Sequence, residues 1–181
     1  DSTNVNEATT TSGDGDAGVF VKVSAGDFNL DPVAYSDNAY LGKTDYPFVN
    51  AEYPSVTLEC APAISGDSLL GITLYQTAKT DENGEKLLYN PVKATELNTV
   101  LPGQAVPVAT RGVFTLTAGG YSGALTVGGG VQLSAAESGK LVGCAASSVH
   151  KVGTVIGTGS RSSGTITDAY AGTYAVIAIG L

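Results

Sequence analysis

The chain of 181 residues has no tryptophan, no methionine, two cysteines and a single histidine, His150. Between Asn98 and Leu181 its only carboxylates are Glu137 and Asp168. Acid–base, nucleophilic and metal-assisted catalysis all need ionisable groups that converge on one point. The back half offers almost none. We therefore expect no catalytic residue, no metal ligand set and no cofactor, and a structural or binding protein rather than an enzyme. Cys60 and Cys144 sit in the apolar runs VTLECA and KLVGCA, where a small thiol packs well. Two cysteines in this length make no disulfide scaffold, so free, buried thiols are expected, with a bond between them as the alternative. No apolar run approaches the roughly 20 residues of a membrane-spanning helix. No permitted N-x-S/T sequon occurs, and no secretory leader is expected. The chain reads as soluble, with no membrane partner.

Charge is uneven. Residues 1–97 carry 15 acidic and 5 basic side chains, net −10, whereas residues 98–181 carry 2 and 4, net +2. Nucleic-acid binding needs clustered Lys and Arg against the phosphate backbone, and so acidic a front half argues against it. A solvated acidic face is the plain reading, and it keeps densely arrayed copies from clumping.

What the chain does have is glycine and short apolar runs. Sixteen of its 24 glycines lie beyond residue 97, between runs such as GVFTLT, VQL, KLVGCA, VGTVIG and TYAVIAIGL. Turn signals every 8–12 residues predict an all-β fold, with residues 98–181 a small antiparallel β-barrel or sandwich. Pro107 predicts an edge strand or bulge. In the closing strand Ala175, Ile177 and Ile179 share one face and Tyr174, Val176 and Ala178 the other. Apolar on both, it belongs at the centre of a sheet or in a subunit interface.

Ahead of this domain, residues 1–18 hold almost no large apolar side chain and read as a flexible arm. Residues 19–97 read as a β-rich, loop-rich front segment. Its first strand places Val19, Val21 and Val23 on one face. A tyrosine-rich loop follows, with Tyr35, Tyr40, Tyr46 and Tyr53 and, further on, Tyr75. Strands are expected at 55–60 and 69–77. Asn83-Gly84 makes a turn, with 86–89 as its returning strand. Only residues 91–97 suit a helix, of one or two turns.

Each motif reduces to structure. Gly42-Lys43-Thr44 lacks the first glycine of a phosphate loop, since position 37 is Asp. Gly157-Thr158-Gly159 lacks the third glycine of a dinucleotide fingerprint and reads as a turn. Asp27-Phe28-Asn29-Leu30-Asp31 begins like a calcium loop, but Pro32 stands where glycine is required and Asn38 where Glu is. His150 follows Ser147 and Ser148 without an orienting carboxylate nearby. Ser134 and Glu137 have capping-box spacing, but Gly139 stops any helix, leaving a turn between strands.

The ordered series AVPVATRGVFTL, GGGVQLSAAESGKLVGCA, VGTVIGTG and AGTYAVIAIGL resembles the head-decoration, or capsid cement, proteins of tailed bacteriophages. The matching positions are Pro107-Val108, Gly112-Val113, Gly130-Val131, Gly143, Gly153 to Gly157 and Ala171 to Ile179, so residues 98–181 are covered. The resemblance implies a structural virion protein on the outer surface of the capsid, with the major capsid protein as partner, clamping neighbouring shell subunits. It also implies a homo-oligomer, a trimer by analogy. Val19, Phe20, Val21, Tyr174, Val176, Ile177 and Ile179 are then the expected capsid or subunit interface. Deletion of residues 1–23 is expected to leave a folded protein that no longer coats particles. The alternative function is a head fibre, spike or adhesin that recognises a glycan or receptor through the loop from Tyr35 to Tyr53.

Overall fold

The computed structural model describes residues 15–27, 57–81, 83–101, 104–163 and 171–180. The first fourteen residues, the tyrosine-rich loop and most of the calcium-like motif lie outside the described residues. The fold is all-β. A four-stranded sheet contains β1 (Phe20–Asp27), β2 (Thr57–Pro62), β3 (Gly71–Thr73) and β6 (Val108–Ala109), in the order β2-β1-β3-β6. A curled six-stranded sheet is built from β7 (Arg111–Thr117), β8 (Tyr121–Ser122), β9 (Gly130–Leu133), β10 (Leu141–Cys144), β11 (Gly153–Arg161) and β12 (Gly172–Gly180). Its order is β7-β12-β11-β9-β10-β8, antiparallel except for the β10–β8 pair. A small parallel pair joins β4 (Gln76–Thr77) to β5 (Thr99–Val100).

β1 is central in its sheet. It pairs with β2 on one side and with β3 on the other, and Ser24 is the extra residue of a bulge whose hydroxyl donates to the Glu59 carbonyl at 3.0 Å. Phe20 and Val21 are both fully buried, while Val23 is 44% exposed. The expected one-sided alternation therefore holds only for Val19 and Val21. The strand is covered on both faces at its start and emerges at Val23.

One core joins front and back. Phe20, Ala63, Leu69 and Ile72 pack in the same cluster as Leu116, Val131, Leu133, Leu141, Val155, Ala175, Ile177 and Ile179. Three backbone bonds pin the junction. Phe20 N–H donates to the Gly139 carbonyl at 3.0 Å, Gly139 N–H to Ala63 at 2.8 Å, and Ala63 N–H back to Phe20 at 2.8 Å. Gly139 is at φ +73, and a Cβ there would lie 2.6 Å from a Val19 methyl. Only glycine fits.

Several local expectations are corrected. Residues 86–89 do not return as a strand. After one bridge, Thr80 with Lys86, the chain forms a 3₁₀ turn at Leu87–Tyr89 that buries Leu87. Tertiary burial of one leucine has overridden the hairpin. The helix α1 (Pro91–Glu96) follows, with Pro91 in its first turn and Asn90 as its cap. Gly157 to Gly159 are not a turn but strand residues of β11, paired with Val176, Ala175 and Tyr174 just after a bulge at Ile156. The Ser134 hydroxyl accepts from the N–H groups of Ala136 and Glu137, both at 3.2 Å, and shapes the β9–β10 turn without a helix. β6, next to Pro107, is an edge strand as expected.

The deletion expectation also changes. Removing residues 1–23 would excise Phe20 and Val21 from the core and from the central strand of a sheet, so the deletion is expected to destabilise the fold itself. Even Gly15 and Asp16, assigned to the arm by composition, accept hydrogen bonds from Thr77 N–H and the Thr73 hydroxyl, at 2.7 and 3.2 Å.

Gly139→Ala should lower folding stability by about 1–3 kcal/mol through overpacking against Val19 and the unfavourable φ. Gly159→Ala, with nothing within 4 Å of its added Cβ, should change it by less than about 0.5 kcal/mol. Urea unfolding of both variants measures the difference.

Candidate functional site

The outer face of the six-stranded sheet is built by strand alternation. β12 lies between β7 and β11, and Ala175, Ile177 and Ile179 point into the core. Tyr174, Val176 and Ala178 therefore point out, and each is half-buried. On β7, Phe114 and Leu116 oppose Ile177 and Ala175, which sends Val113 and Thr115 outward beside Ala178 and Val176. On β11 the bulge sets Ile156 and Gly157 opposite Val176. Val113 is 62% and Ile156 52% exposed. Among the described residues, Val113, Ile156, Val176 and Ala178 give this face an apolar patch beside Thr115 and Tyr174, on three strands that contain no aspartate or glutamate.

The seven residues expected at an interface thus divide. Phe20, Val21 and Ile177 are fully buried, Ile179 is 3% and Val19 9% exposed. All five are taken up by the protomer itself, so a contact with another chain has to use other residues. Tyr174 and Val176 lie on the outer sheet face. Sequence reasoning missed Val113 and Ile156. The alternation in GVFTLT could have placed Val113 opposite Phe114 and Leu116, but a bulge at Ile156 has no local signature. A second exposed apolar group, Leu88, Tyr89 and Val92, projects where the 3₁₀ turn meets α1.

A groove of about 410 Å³ runs between the β7 edge and the turn at residues 15–18, with β3 and the 138–140 turn completing it. The described residues that line it include no histidine, cysteine or glutamate, and Asp16 is their one carboxylate. Among the described residues, no three His, Cys, Asp or Glu side chains could hold a metal ion. His150 is exposed in the β10–β11 turn, where its N–H donates to the Ser148 hydroxyl at 3.3 Å. Cys60 and Cys144 are unpaired and half-buried rather than buried. Burial raises the Cys60 thiol above its usual range, which favours the unreactive protonated form. No helix of the described residues is long and apolar enough to cross a membrane.

The charged groups are structural. Asp81 has a fully buried carboxylate that receives Asn83 N–H at 2.9 Å, Glu85 N–H at 2.7 Å and the Lys93 ammonium. It pins the Asn83-Gly84 turn to α1. The Lys93 bond, reinforced by the two backbone donors, holds Asp81 below the ordinary carboxylate range against the opposing effect of burial. Asp67 is lowered first by Ile64 N–H and then by Lys22, whose ammonium is 2.9 Å away. Glu137 is lowered first by Lys140, at 2.8 Å, and then by Ser122. Burial raises Asp16, the one shift of opposite sign among these aspartates and glutamates.

Neither a scan against protein-family models nor comparisons with curated proteins and with solved structures finds a match to this chain.

Because Asp81, Asp67 and Glu137 have lowered folded-state values, the stability they contribute is complete above the unfolded carboxylate range, near pH 4. It is lost as pH falls through the lowered folded values. Urea midpoints should hold between pH 5 and 7 and drop below about pH 4. Asp81→Asn should lower the midpoint at pH 7 and shrink the acid-induced drop.

Proposed function

We propose that this chain is a structural virion protein, a decoration or cement protein of a tailed-phage head. It lies on the outer face of the shell, acts as a homo-oligomer and stabilises contacts between major capsid subunits. The observation that carries the reading is the outer face of β7, β12 and β11, where Val113, Ile156 and Val176 form an apolar patch on strands that contain no aspartate or glutamate. Exposed apolar groups gathered on one rigid sheet face suit protein contact. β7, β11 and β12 contribute no carboxylate to this face, in a chain whose net charge is −8, so these strands add no like-charge repulsion to a contact. The resemblance of residues 98–181 to capsid cement modules supplies the identity of the partner. The grip belongs to the outer sheet face and not to β1, which the protomer's own core occupies.

The test uses shells assembled without the chain and then incubated with purified protein. Bound protein should raise the temperature at which shells rupture. Val113→Asp with Ile156→Asp should leave the folded protein's stability within about 0.5 kcal/mol and weaken shell binding at least tenfold, about 1.4 kcal/mol. Shells that rupture at the same temperature with and without the protein would sink the reading. Binding to cell-surface glycan but not to shells would favour the recognition-module alternative.

A further inference from the structure

The groove beside β7 has a strand edge as one wall and the turn at residues 15–18 as the other. Four consecutive residues, Phe114 to Thr117, line it on one side, and consecutive residues Asp16 to Val19 line it opposite. Consecutive residues point alternately up and down, so what faces the groove along β7 is its backbone. β7 pairs with β12 alone. Among the described residues, no backbone hydrogen bond outside the β7–β12 ladder reaches an N–H or C=O between Gly112 and Leu116.

An open edge of this length is a template for another strand, and proteins ordinarily blunt it with charge, proline, bulges or brevity. The other sheet edges here are blunted. β2 carries Glu59 and ends in Pro62, while β6 and β8 have two residues each. From Gly112 to Thr117, β7 has no charge, no proline and no bulge. Its edge is left unblunted over these residues.

We propose that this edge is a strand-accepting site and that its occupant is residues 1–14 of the same chain. The described chain begins at Gly15, and Asp16 to Gly18 form the groove's own wall, so the segment starts where the site is. Fourteen residues reach about 46 Å when extended, more than twice the roughly 20 Å of six β7 residues. Gly13-Asp14-Gly15 supplies turn chemistry for reversing direction at the groove. Val5 to Thr11 (VNEATTT) contains Val and Thr, which suit strands, and neither proline nor lysine. The short tether holds the segment at an effective concentration in the millimolar range, ahead of any second copy in dilute solution. Backbone bonds carry the contact, so a strand from a partner can displace the segment. This inference does not depend on the capsid reading.

Hydrogen exchange on the full chain and on a variant lacking residues 1–14 tests it. In the full chain the β7 amides that point away from β12 should be protected, independently of protein concentration. In the truncated chain they should exchange at least tenfold faster while the β11–β12 amides are unchanged, and a synthetic peptide of residues 1–14 should restore protection. Full-length protein carrying Thr9→Pro with Thr10→Pro should lose the same protection, which keeps the test valid if the truncated chain folds poorly. Equal exchange in all forms overturns the proposal. Protection that appears only at high concentration, together with an oligomer's mass, overturns the same-chain occupant in favour of a second copy.

Discussion

Three backbone hydrogen bonds that close among Phe20, Ala63 and Gly139 hold the rest of the structure in place. They tie the start of β1, the end of β2 and the β9–β10 turn into one corner, and each segment supplies both a donor and an acceptor. Buried peptide groups cannot be left unpaired cheaply. Satisfying them here fixes how the four-stranded sheet meets the six-stranded one. The corner works because residue 139 has no side chain, so the turn can approach Val19 and Phe20 closely.

From that corner follows a shared hydrophobic core. Phe20, Leu69 and Ile72 from the front, and Leu116, Leu141 and Ile177 from the back, bury one another. Sheet edges and outer faces are what remain for contact with other molecules. The apolar surface of Val113, Ile156 and Val176 exists because the inward positions of the same strands are already filled. Gly153 shows how tight that filling is, since a Cβ there would lie 2.5 Å from the Ala178 carbonyl oxygen. β11 and β12 therefore approach each other closely at this pair.

Charge follows the same division. The ion pairs Lys22–Asp67, Asp81–Lys93 and Glu137–Lys140 secure turns and a short helix at the margins of the sheets. None lies on the outer face of β7, β12 and β11. The acidic excess belongs to residues 1–97 of the sequence, and β7, β11 and β12 contain no aspartate or glutamate.

Strand content, the Asn83-Gly84 turn, the short helix after Pro91, the Ser134 turn and the edge position beside Pro107 were all legible in the sequence. Each is set by local chemistry: alternation, positive φ, a missing N–H, or a side chain capping its own backbone. Tertiary structure decided the rest. Alternation marks Val19, Phe20 and Val21 as a strand, but it cannot say that both faces are covered, because the covering residues are 40 to 160 positions away. It cannot say that Gly157 to Gly159 continue a strand either, since the partner β12 that makes them one comes later in the chain. The open edge of β7 is likewise a property of pairing order. Local sequence specifies which segments form strands, and long-range pairing alone specifies which of their edges and faces are left open.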